Sequence, residues 1–242
     1  MPHAPVLLAD VQPSFDEGRR IRKAVDELDL AGADALVLVS AHGENAGVYE
    51  HPEGSLSGFG IDGLEVRERP TDDGLASALA DAWARDRIDG PADFGVVVPM
   101  LLGLGGGPPV VAVTLPETTG PRATELAEAL SAAWSLSGAL QKVAGELDVA
   151  VVASAHAGAG LTSRGPLAEL PGAAELDREV VAALEEDPAH VEGLLHRLHE
   201  TGRACGVAPL GVIAWLFGGW RCRDVTHEAP FGVGYLVAEL TR

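Results

Sequence analysis

The chain has 242 residues, 47% of them hydrophobic and 22% charged, and carries a formal net charge of -19. That length and composition suit one large globular domain over residues 1–242, with enough apolar material for a sizeable core. The acidic balance argues against a nucleic-acid partner, because duplex binding rests on Lys and Arg neutralising phosphates, and it does not suggest an anionic membrane surface.

The two cysteines, Cys205 and Cys222, read as too few and too irregular for a disulfide framework or a thiolate metal site, and they fit a reducing compartment. The opening MPHAPVLLAD has no basic stretch ahead of an apolar one, and no apolar run reaches the length of a bilayer span. The expected location is cytoplasmic.

Along the chain, apolar strand-like runs alternate with helical patterns. PSFDEGRRIRKAVDELDL opens with Ser14 and has Glu17 three residues on, a capping-box signature, and Ile21, Val25 and Leu28 recur at helical spacing. DALVLVS, residues 34–40, reads as a strand buried on both faces, and the Gly- and acid-rich stretch over residues 42–63 reads as a long loop of the kind that is functional or mobile. A charged helix is expected over 71–87, a buried strand at PVVAVTL, an Ala/Leu/Glu helix over 122–146 and a third buried strand at DVAVVAS. More helix is expected over 173–200 and 204–217, with GVGYLVAEL closing as a strand. The rhythm is that of a three-layer α/β/α protein with a mostly parallel or mixed central sheet.

Open α/β sheets bind ligands at the carboxyl ends of their strands. His42 follows the first apolar strand and His156 follows the third, in VVASAHAGAGL. His3 lies near the start, and the pair His227-Glu228 precedes the last strand. A histidine at a strand end is often no more than a hydrogen-bonded loop residue. Still, two histidines and a carboxylate form the facial set that holds Fe(II) while leaving positions for substrate and O₂. His190, His196 and His199 fit a solvated helix face, and His51 sits in the long loop. No phosphate loop, nucleophile elbow or CxxC motif is present.

PHAPVLL, VLVSAHGE, DFGVVVPMLLG, ASAHAGAGLTSRGP, CGVAPLGVIAWL and HEAPFGVGYLVAEL, in that order, resemble the blocks of the class III extradiol ring-cleavage dioxygenases, catalytic LigB-type subunit. The resemblance spans essentially the whole chain. It implies a LigB-like fold and a non-haem Fe(II), with Zn(II) or Mn(II) as the alternative ions, held by His3, His42 and Glu228. It further implies a small aromatic diol and O₂ as substrates, and it admits a homo-oligomer or a small partner subunit. His156 takes the acid/base role, with His51 or His227 as alternates, and Phe94 and His51 face the substrate. Adjacent strand residues point to opposite faces, so His227 and Glu228 are not expected to share one ion. Arg164 is a candidate partner for a substrate carboxylate.

The sequence departs from the family pattern at two proton-transfer positions. Asp93-Phe94-Gly95 stands where the family commonly has Asp-His-Gly, and Ala159 occupies the register of the later histidine, with His156 three residues earlier. Only Met1 and Pro2 precede His3, where the family runs a strand into this block, so a start upstream of Met1 is one expectation. Three readings remain: an extradiol dioxygenase, a LigB-like binding or regulatory relative without ring cleavage, and a metal-dependent hydrolase on the same scaffold.

Overall fold

The computed structural model describes residues 1–11, 15–43, 45–67, 69–118, 124–145, 147–163, 168–201 and 204–242. Ser14 and Arg164 lie outside the described residues. Apolar runs with almost no polar interruption become the inner strands β1 (Ala35–Gly43) and β6 (Val110–Pro116) and the edge strand β7 (Val149–Ala153), which is half-buried rather than buried as expected because no strand covers its outer side in the sheet. All three are parallel, with β1 between β6 and β7. Inside the 42–63 stretch the short strands β2 (Gly47–Tyr49) and β3 (Gly54–Ser55) form. The first pairs antiparallel with β6, and β3 forms a ladder with β4 (Glu65–Val66). With β5 (Arg87–Ile88) at the outer edge, the sheet is mixed and five-stranded, in the order β5-β2-β6-β1-β7.

Because side chains alternate along a strand, each central strand faces two layers. Ala35, Val37, Val39, Val111, Val113 and Leu115 pack beneath α2 (Asp73–Trp83), α4 (Leu126–Val143) and α7 (Val207–Phe217). Leu36, Leu38, Val110 and Ala112 pack on the other face against Val96 and Met100 of α3 (Phe94–Leu102). Beyond α3 lies α1 (Asp16–Asp26), whose Ile21 and Val25 share a cluster with Tyr235 and Val237. The architecture is a three-layer α/β/α sandwich. A two-stranded antiparallel unit, β8 (Arg221–Glu228) and β9 (Tyr235–Thr241), stands apart from the main sheet and packs against α1 and α5 (Ala173–Glu186). Among the described residues no helix is long and apolar enough to cross a membrane.

The structure redraws several elements. The helix expected over 71–87 ends at Trp83, where Ala84 turns into the left-handed region at φ 54°, leaving room for β5. The helix expected over 173–200 breaks at Asp187-Pro188. Proline disfavours the helical region for the residue before it, and Asp187 is extended, accepting from the Ala189 amide before a 3₁₀ segment leads to α6 (Leu195–Thr201). The DFG block becomes α3, capped by Asp93, whose carboxylate accepts from the Gly95 amide at 2.8 Å. The segment before the last strand is itself a strand, β8. The first helix begins at Asp16 after an extended Phe15.

Candidate metal centre

Four elements deliver the candidate residues to one place. Met1 pairs with the end of β7, its amine donating to the Ala153 carbonyl at 2.7 Å and its carbonyl accepting from the Ala155 amide at 2.8 Å. That rung sets His3, two residues on, beside β7, where its Nδ1 lies 3.1 Å from the Ser154 hydroxyl. His42 comes from the last turns of β1. His156 stands on the loop after β7, and Cys205 stands two residues before α7, next to its N-cap Gly206. The chain before α7 reaches this loop only because residue 206 is glycine: a Cβ there would lie 2.4 Å from Ala155 Cβ and 2.8 Å from the His156 carbonyl.

His3 Nε2 is 3.0 Å from His42 Nε2 and 3.2 Å from Cys205 Sγ. His156 Nδ1 lies 2.9 Å from the same sulfur. His3, His42 and Cys205 thus offer three donor atoms within 4.8 Å of one another. A tetrahedral ion bound at ordinary Zn–N and Zn–S lengths separates two nitrogens by about 3.3 Å and a nitrogen from a sulfur by about 3.6 Å. The His3–His42 and His3–Cys205 separations lie within a few tenths of an ångström of those values, and the donor set fits a divalent transition metal.

The electrostatics favour such an ion. Burial, reinforced by the neighbouring imidazoles His42 and His156, holds His3 well below its usual pKa, and burial with the nearby His156 brings His42 down to about 3. Both are neutral imidazoles at neutral pH, the form that ligates metals. Burial pushes the Cys205 thiol up to about 12, and the Glu117 charge adds to that shift. A metal ion supplies the positive charge that would stabilise the thiolate in this site.

Polar and aromatic groups hold the cluster from outside. The Ser40 hydroxyl donates to Asp93 at 2.6 Å and accepts from the His42 amide at 3.2 Å, while the Tyr49 hydroxyl donates to the other Asp93 oxygen at 3.0 Å. Burial raises the Asp93 pKa against the pull of these hydrogen bonds. Phe94, next in sequence, lies over His42 with ring centroids 4.0 Å apart and edge-on to His3 at 5.5 Å. The exposed Phe59 meets Phe94 in turn at 5.0 Å. A polar cleft of about 630 Å³ opens beside the carboxyl ends of β1 and β6, between Gly43, Tyr49, Thr114 and Pro116. A second, more apolar cavity of about 360 Å³ separates the edges of β7 and β9 and touches the His156 loop through Ala155 and Ala157.

Of the residues expected from sequence, His3, His42, His156 and Phe94 meet here. Glu228 does not join them: it ends β8 and accepts a forked hydrogen bond from the Arg20 guanidinium of α1, with Oε2 3.1 Å from Nη2. Its place among the clustered donors is taken by Cys205. In sequence the cysteines are too few and too irregular to suggest a thiolate metal site; the structure places one thiol beside two histidines, a combination that needs no cysteine motif. His227 points the other way along β8 and pairs with the buried Asp177 at 2.7 Å. His51 is exposed on the bend after β2, outside the donor group. Ala159, in the register of the family's histidine, is buried and bridged to Val233. Glu117, just past β6, was not anticipated; its Oε1 stands 3.7 Å from His42 Nδ1. The signal for it was a carboxylate directly following a buried parallel strand.

No family model matches the chain, and no curated protein matches it. Among solved structures, the chain is similar to an uncharacterized protein, JW3007, from Escherichia coli K12. The two share 17% sequence identity at a TM-score of 0.57, over 93% of this chain and 92% of that one. At that identity the likeness concerns the fold alone, and it agrees with the three-layer sandwich described above.

Proposed function

We propose that the chain is a metal-dependent enzyme whose ion is held by His3, His42 and Cys205, and that it opens a small aromatic diol with O₂ in the manner of an extradiol dioxygenase. The observation that carries the metal reading is the convergence of two neutral imidazoles and a buried thiol on one point at the carboxyl ends of the sheet. The aromatic-diol reading rests on the ordered blocks of sequence that resemble the LigB-type subunit. When bound, the ion would supply Lewis-acid attraction for the substrate oxygens and a site where O₂ and the ring can meet.

The protein's own groups do the rest. His156, at hydrogen-bond distance from Cys205, is the proton carrier nearest the donors, suited to take a proton from a substrate hydroxyl and return it later. Phe94 and Phe59 form an aromatic wall that excludes water on one side and stacks against a planar ring. Ser40, Tyr49 and Asp93 fix the backbone around His42. One observation favours a second reading: a thiolate in place of the expected carboxylate suits Zn(II), and a zinc-dependent hydrolase uses the same three donors.

The test loads the protein anaerobically with Fe(II) or with Zn(II) and follows O₂ consumption with simple catechols beside hydrolysis of activated esters. Oxygen uptake with Fe(II) alone, abolished in His156→Ala with the metal retained, is the expected result. Ester turnover with Zn(II) and no oxygen uptake with any metal would replace the first reading by the second.

A further inference from the structure

Glu117 belongs to no part of the donor set, yet the fold aims it at that set. It follows β6 directly, and β6 runs parallel to β1 with Pro116 opposite Gly43 after an irregularity in the β1 register between Ser40 and Gly43. The irregular rung brings β1 so close to β6 that a Cβ at Gly43 would lie 2.2 Å from the Thr114 hydroxyl oxygen. As a result His42 leaves its strand where Glu117 leaves the next one. His42 uses Nε2 towards His3, so the nitrogen turned to Glu117 is Nδ1, 3.7 Å from the carboxylate. The imidazole is almost wholly buried, whereas the Glu117 side chain is 28% exposed.

We infer that Glu117 is a positioning residue of the metal centre, accepting the Nδ1 proton of His42 and so fixing which nitrogen of that histidine faces the ion. Metal-bound histidines commonly donate their second N–H to a carboxylate, which sets the tautomer and ring orientation and makes the ligating nitrogen more basic. Glu117 also brings negative charge to a donor set that contains a single ionisable anion, the Cys205 thiol. This inference rests on the proposed metal site and adds to it the group that orders one of its ligands.

The experiment is a titration of the full chain with Zn(II) alone, and with Co(II) as a spectroscopic stand-in, for the wild type, Glu117→Ala and Glu117→Gln. Zn(II) affinity is expected to fall roughly 10–100-fold in Glu117→Ala, the range typical of a lost carboxylate behind a histidine ligand. Glu117→Gln keeps an acceptor for the Nδ1 proton and is expected to lie between the two. The ligand-field bands of bound Co(II) should shift in Glu117→Ala, while the melting temperature of the metal-free protein stays at the wild-type value. Unchanged affinity in Glu117→Ala overturns the inference, as does a loss that Glu117→Gln does not partly restore. A wild-type protein that binds neither metal overturns the metal site itself, so the two failures are told apart.

Discussion

Two groups of histidines and acids in this molecule are built from similar residues and do opposite things. On β8, His227 faces the carboxylate of Asp177, Glu228 faces the guanidinium of Arg20, and the hydrogen bond that His227 donates to Asp177 raises the His227 pKa. Each charge there has a counter-charge. At the carboxyl ends of β1 and β7, three imidazoles and a thiol turn their donor atoms towards one another, and burial drives His3 and His42 to the neutral form. The first arrangement ties elements together by ion pairing. The second gathers lone pairs, which is what a metal ion seeks. Histidine by itself says little; the charge of its neighbours separates a strut from a ligand.

The largest effect that separates the two regions is on metal binding. Cys205→Ala and His42→Ala should each weaken Zn(II) binding by at least about 100-fold, since each removes one of the three proposed ligands. Glu228→Gln should leave affinity unchanged and stability nearly so, because its partner Arg20 is exposed and such pairs contribute little. Calorimetric titration of the three variants checks this. If Glu228→Gln lost the metal while Cys205→Ala kept it, the comparison would be inverted.

Next in size is folding stability. His227→Ala leaves the Asp177 carboxylate buried and without this partner, and should lower unfolding free energy by roughly 2–3 kcal/mol without weakening metal binding. Denaturant unfolding with and without Zn(II) reads both quantities, and a parallel loss of metal affinity would show that the two regions are coupled.

The smaller effects lie in pH. His3 and His42 have folded pKa values below the unfolded 6.5, so only the unfolded chain takes up their protons as pH falls below that value. Each should subtract up to about 1.4 kcal/mol of stability per pH unit there. His227 has the opposite sign. Its raised folded pKa gives stability that is fully present below 6.5 and lost as pH rises through the folded value. Metal-free His42→Gln should flatten the acid limb, and His227→Gln the limb above 6.5. Limbs unaltered by these substitutions would refute the assignments.

The sheet was legible in the sequence because β1 and β6 are buried on both faces and they, like the half-buried edge strand β7, read as nearly unbroken apolar runs. His42 and His156 were legible for the same reason, as polar residues where such runs stop. The Asp187-Pro188 break was also written in the sequence, although the helical periodicity on either side reads through it. Cys205 was not legible as a member of the donor cluster. It stands 202 residues from His3, and the two meet only because Gly206 lets the approach to α7 lie against the His156 loop. Nor could spacing reveal that Arg20 of α1, 208 residues away, engages Glu228. Local pattern marks where strands end, while the choice among candidate ligands is made by long-range packing.

The most direct measurement is the metal content of the protein loaded with Zn(II) or Fe(II) and freed of excess, for the wild type beside Cys205→Ala and Glu228→Ala. A single tightly held ion per chain, lost in Cys205→Ala and kept in Glu228→Ala, is the predicted result. An ion kept in Cys205→Ala and lost in Glu228→Ala would contradict the account and return the site to two histidines and a carboxylate.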